Sequence, residues 1–130
     1  LSELDAAKAY AHAWNTLDCT GFLALLAPDA HYASQYVFDE LESRDEIANY
    51  LAGKMETVKR SGSIVRAELA KASVSFPGQD CVAMFQGDME TVAAVVVFSV
   101  DGAQITRFDL CITQLFGPML SGVCPGWHEQ

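Results

Sequence analysis

The sequence predicts an α+β fold: three N-terminal helices packed on a strongly bent, mostly antiparallel sheet that forms a cone with a pocket at its mouth. Three observations predict it. In the front half of the 130-residue chain, apolar residues recur at helical spacing behind capping residues. In the back half, strand-like runs are punctuated by Pro77-Gly78 and Asp101-Gly102. No repeat, low-complexity stretch or linker separates the halves, so residues 1–130 read as one domain with an irregular tail from about 117.

Ser2 and Asp5 form an acidic capping box that opens the first helix. Leu4, Ala7, Ala11 and Trp14 make its apolar stripe, with Tyr10 on the flank. Residues 15–18 break it, and Asp18 caps a second, short helix carrying Phe22, Leu25 and Leu26 until Pro28-Asp29. Residues 30–37 read as the first strand, and residues 38–43 as a polar connection. Ser43 to Glu46 is another capping box, starting a third helix with Ile47, Tyr50, Leu51, Met55 and Val58 on one stripe. Four strands follow over residues 63–76, 80–90, 91–100 and 104–115. Gly87 reads as a bulge or a pocket-side gap. Val95, Val96, Val97 and Phe98 are apolar without alternation, so that strand is expected to be covered on both faces. Helices would cover one face and a second subunit the other.

The chain carries a formal net charge of -9, yet 51% of its residues are hydrophobic and only 19% charged. Soluble domains average about 25% charged residues. An acidic surface argues against nucleic acid and against anionic membranes as partners. The apolar surplus argues against a disordered chain. No basic, apolar leader opens the sequence, and the longest apolar run is too short for a spanning helix, which predicts a cytoplasmic protein. Cys19, Cys81, Cys111 and Cys124 are widely spaced and lack partners at zinc-ligand spacing, so free thiols and no metal or other cofactor are expected. Asp39, Glu40, Glu42, Asp45 and Glu46 lack the spacing of a calcium loop and read as a solvated helix N-terminus.

The order of elements resembles the nuclear-transport-factor-2-like superfamily of cystatin-like cones. The residues carrying the resemblance are Trp14-Asn15-x-x-Asp18, Phe22, Leu25 to Ala30 with Tyr32, Ser43-Arg44-Asp45-x-Ile47-x-x-Tyr50-Leu51, and the Asp101-Gly102 hairpin. It spans roughly residues 2–116. The resemblance implies a pocket, but not one activity, because the superfamily includes isomerases, cyclases, dehydratases, epoxide hydrolases and binding or assembly modules.

Steroid isomerases of the superfamily carry their base at the place that looks like Ser34, their oxyanion tyrosine at Tyr10 and a second acid near Val96. Only the tyrosine is kept. Dehydratases place an aspartate and a tyrosine where Asn15 and Trp14 stand, and strand histidines where this chain has none; its histidines are His12, His31 and His128. The nearest local similarity is to limonene epoxide hydrolase, on Asp29-x-x-Tyr32-x-Ser34, Arg44-Asp45 and Leu51-Ala52-Gly53. There Tyr32 matches a water-holding tyrosine, Ser34 replaces an asparagine, Gln86 an arginine and Leu110 a carboxylate, while Asp88 keeps one acid. Asp109 neighbours Leu110 on the opposite face. A bulge would be needed to turn it inward. Apart from Arg107, distantly placed on the strand of Cys111, the cysteines have no His or basic neighbour on the same predicted face that would make a nucleophile.

The expectation is therefore a homodimer, joined through its sheet face, whose cone holds a small hydrophobic molecule. Tyr10, Trp14, Tyr32, Ser34, Tyr36, Gln86, Phe108 and Leu110 would line the pocket. Asp88 is the one catalytic candidate, set either toward the pocket or toward solvent at its strand end. The alternatives are a hydrolase or isomerase acting on a small hydrophobic substrate, and a protein–protein assembly module.

Overall fold

The computed structural model describes residues 1–34, 39–72, 78–87, 92–111 and 118–127. Within these, the chain is an α+β fold with a six-stranded, open, mixed sheet. Its elements are α1 (Glu3–Thr16), α2 (Thr20–Leu23), β1 (Leu26–Ser34), α3 (Arg44–Ser61), β2 (Val65–Lys71), β3 (Asp80–Gln86), β4 (Val92–Asp101), β5 (Gln104–Cys111) and β6 (Met119–Leu120). The strand order is β1-β5-β4-β3-β2-β6. β1 runs parallel to β5, and every other pairing is antiparallel. α1 packs over β2, β3 and β4, and α3 over β1, so both long helices cover one face.

The α1 capping box forms as the sequence suggests. At α3 only its Ser43 half forms, since the Glu46 carboxylate accepts from the Glu42 N–H. α2 starts at Cys19, with Asp18 accepting from the Thr20 N–H. Ser2 Oγ accepts from the Asp5 N–H, and the Asp5 carboxylate accepts from the Ser2 N–H, each at 3.1 Å. Ser43 Oγ accepts from the Glu46 N–H at 3.2 Å and starts α3. Gly62, at φ 72°, ends that helix in the left-handed region that glycine adopts without strain. Both caps satisfy amides that would otherwise lack intrahelical partners.

Three boundaries differ from the sequence-based expectation. α2 is only four residues long, and Leu25 and Leu26 leave it. The Ile105 N–H donates to Leu25 O at 2.8 Å, which draws this segment into β1 beside β5. Pro28-Asp29 therefore does not end a helix; it lies exposed inside β1, where the register with β5 shifts between Leu26 and His31. Proline is tolerated there because β1 is a sheet edge and the bulge needs no N–H from it. The tail is also more ordered than expected. Met119–Leu120 pairs with β2, and the Leu69 N–H donates to Val123 O at 2.8 Å.

The edge of β2 is completed by a side chain. Asn15, on α1, donates to Ala67 O at 2.8 Å and accepts from the Ala67 N–H at 2.7 Å. The same amide donates to Pro125 O at 2.7 Å. It thus substitutes for a neighbouring strand and ties helix, sheet and tail together. Gly126 closes this junction: a Cβ there would meet His12 Cδ2 and Thr16 Cγ2 at 2.9 Å.

The core under the helices is aromatic. Tyr10 lies edge-on to Phe22 at 5.1 Å and to Phe98 at 5.5 Å, and Tyr32 stacks on Phe108 at 4.4 Å. β4 is buried on both faces, as its apolar run predicts: Ala94, Val96 and Phe98 face the helices, while Val95 and Val97 join Cys81, Ala83 and Phe85 in a second cluster. This second face is already buried within one chain, partly by Arg66, whose guanidinium lies 4.3 Å from the Phe85 ring centre. A partner subunit is not needed to explain that run.

Candidate functional site

Between the helices and the face of the sheet that they cover lies a cavity of about 290 Å³. That is near the lower bound of small-molecule pockets, about 300 Å³. Each wall follows from local periodicity. Tyr10 and Trp14 are four residues apart on α1 and share its inward side. Tyr50, Lys54 and Val58 repeat that spacing on α3, with Leu51 beside them. Tyr32 and Ser34 alternate inward on β1, Met84 and Gln86 on β3, and Leu110 closes the β5 side.

Six of the expected lining residues meet here: Tyr10, Trp14, Tyr32, Ser34, Gln86 and Leu110. Phe108 does not line the cavity. It is fully buried behind Tyr32 and supports that ring by stacking. Tyr36 and Asp88 lie outside the described residues. Sequence reasoning missed Lys54 and gave no site role to Tyr50. The available signal was the interval between them: Lys54 is the charged residue set between Tyr50 and Val58 along the apolar stripe of α3.

Among the polar side chains of the site, Trp14 and Lys54 can only donate hydrogen bonds, and the hydroxyls and the Gln86 amide can donate or accept. Burial pushes the Tyr10 phenol well above its ordinary pKa, and the neighbouring Tyr32 hydroxyl adds to the rise. Tyr32 is also raised, chiefly by burial; a hydrogen bond from Ser34 opposes the shift, and Tyr50 reinforces it. Both phenols therefore stay protonated at neutral pH and serve as donors rather than bases. The Lys54 ammonium lies 5.6 Å from the Tyr50 ring centre at the exposed side. Trp14 Nε1 is buried without a hydrogen-bond partner. It sits near enough to the Tyr10 hydroxyl to offset a little of that group's pKa rise, yet the two do not reach hydrogen-bond geometry. No carboxylate or histidine lines the cavity among the described residues.

The remaining chemical candidates lie elsewhere. Asp109 faces away from the cavity, and Arg107 grips it at 2.8–3.1 Å through Nε and Nη2. Arg107 also pairs with Glu40 at 2.6 Å, and Glu40 meets His31 Nδ1 at 2.7 Å. No bulge turns Asp109 inward, because its register partner Ala33 sits one residue away from the inward-facing Tyr32 and Ser34. His31, Glu40 and Glu42 bring possible ligand atoms within 4.8 Å of one another. Glu40, however, is held by a guanidinium, whose charge opposes a cation at that place. Asn15, the residue at the dehydratase acid's place, is occupied in the β2 edge. The four cysteines are unpaired, and burial is the main reason each thiol pKa is raised, Cys81 to about 11. Raised thiols are poor nucleophiles.

Solved structures share this fold. An uncharacterised cystatin-fold protein from Novosphingobium aromaticivorans is 21% identical, with a TM-score of 0.57 over 85% of this chain and 97% of that one. A nuclear-transport-factor-2-like (NTF2-like) protein of unknown function from Cytophaga hutchinsonii is 13% identical, with a TM-score of 0.60 over 87% and 91%. An LEH-like epoxide hydrolase from M. tuberculosis is 17% identical, with a TM-score of 0.55 over 85% and 82%. The chain thus has the nuclear-transport-factor-2-like, cystatin-like fold. No family model matches the sequence, and no curated protein does. No helix among the described residues is long and apolar enough to cross a membrane.

Proposed function

We propose that this domain binds a small hydrophobic molecule in the cavity between α1, α3 and the sheet. The observation that carries the reading is the cavity itself: about 290 Å³, walled largely by the aromatic rings of Tyr10, Trp14, Tyr32 and Tyr50, with polar side-chain groups set among apolar ones. Aromatic walls supply contact area, and polar groups fix orientation. Titration calorimetry with acetophenone, α-methylstyrene and styrene oxide tests it. Saturable binding is expected, and Ala94→Leu, which fills the cavity from β4, should weaken it about tenfold or more while melting stays cooperative. Binding that is absent, or unchanged in a folded Ala94→Leu protein, overturns the reading.

Hydrolysis of the bound molecule is the weaker reading. Its support is the Tyr32–Ser34 pair at the cavity wall and the fold shared with an epoxide hydrolase. Against it, Asp109 is turned outward and no described carboxylate lines the cavity. Styrene oxide is therefore expected to bind without turnover. Turnover that disappears in Asp88→Asn would reverse this order.

A further inference from the structure

Resting on the ligand-binding reading, we infer that the occupant presents a hydrogen-bond acceptor oxygen to the α1 wall, and that Trp14 Nε1 is its seat. Three features point there. Trp14 is 9% exposed and lines the cavity, yet its N–H has no partner. An indole nitrogen can only donate, so no reorientation of its own makes it an acceptor. A buried donor left unpaired is uncommon in native structures and calls for an explanation.

The rest of the lining points the same way. Lys54 is another group that only donates. Tyr10, Tyr32, Tyr50, Ser34 and Gln86 can donate or accept, and no described lining residue only accepts. The walls can therefore offer more donors than acceptors. The complementary ligand carries an acceptor oxygen and needs to donate nothing. Two sources fit this chemistry: a neutral carbonyl compound or a carboxylate. The depth of Trp14 favours the carbonyl, because a charge in an apolar wall is costly to desolvate. Lys54, on the exposed side, is where a carboxylate would be held.

Acetophenone and α-methylstyrene have nearly the same shape and differ by an oxygen against a methylene, so they isolate the acceptor. Acetophenone should bind about tenfold tighter, the effect of one well-formed hydrogen bond. In 1H–15N spectra the Trp14 indole proton should move downfield with acetophenone and not with α-methylstyrene, while that of Trp127 stays in place. This measurement uses the unaltered protein, with Trp14→Phe serving for assignment. A Trp14→Phe protein that folds should bind both probes with equal affinity. Equal binding by the unaltered protein overturns the acceptor inference and leaves the pocket standing. Failure of both probes to bind overturns the pocket reading as well. Benzoate bound tighter than acetophenone, and weakened by Lys54→Ala, overturns the Trp14 seat in favour of the exposed side.

Discussion

Tyr10 and Tyr32 carry phenols in an apolar wall, and burial decides their protonation. Both folded-state pKa values lie above the ordinary value of 10.0, so the neutral form is favoured in the folded protein. For a raised acid, the stabilising contribution is fully present below the unfolded pKa and is lost as pH rises through the interval up to the folded one. Absorbance at the tyrosinate band should therefore show these two residues un-ionised above pH 10 in the folded protein, with stability falling over the same range. Tyr10→Phe and Tyr32→Phe identify the late-titrating groups. Early ionisation of either would mean its ring is wetter than its position implies. The aromatic character of these positions was readable from strand alternation and helical spacing. The stacking of Tyr32 on Phe108 was not, because it depends on the parallel register of β1 with β5.

At the scale of elements, Asn15 does what a seventh strand would do at one residue. It satisfies both the N–H and the C=O of Ala67 and also reaches Pro125. Asn15→Ala leaves these partly buried groups without a partner, at about 1–3 kcal/mol for an unpaired group. Urea denaturation should register a loss of that order, and hydrogen exchange should quicken at the Ala67 amide. An unchanged denaturation midpoint would show that solvent replaces the amide at no cost. Sequence reasoning assigned Asn15 to a helix break and compared it with a catalytic acid. Its actual partners lie 52 and 110 residues away, so no local pattern contains them. The same limit explains α2. The composition of residues 20–27 suits a helix as well as a strand, and pairing with β5 settles it.

For the whole molecule, the open proposal is a homodimer through the sheet face. The apolar run of β4 does not demand it, since Val95 and Val97 are already covered within one chain. The exposed large apolar side chains among the described residues include three at the β6 margin, Met119 at 68%, Leu120 at 49% and Val123 at 51%, beside Ile64 and the N-terminal Leu1 and Leu4. Light scattering should give twice the 14.1 kDa chain mass if two copies cover that margin. A monomer at micromolar concentration would remove the dimer. Such a result would leave the cavity intact, because its lining comes from one chain.

The sequence by itself determined the α+β class, the caps of α1 and α3, and the inward alternation of Tyr32 and Ser34. These follow from interactions within a few residues, where periodicity and side-chain chemistry are sufficient. It also determined that acid would exceed base, so that a pocket with no carboxylate among its described lining residues is a local exception in a chain of net charge -9. Only the tertiary structure decided that Lys54 joins the pocket, that Phe108 supports it from behind, that Asp109 turns to Arg107, and that Trp14 keeps an unpaired N–H. Each of these depends on which elements meet across the sheet. That is fixed by long-range pairing and packing, whose partners carry no mark of one another along the chain.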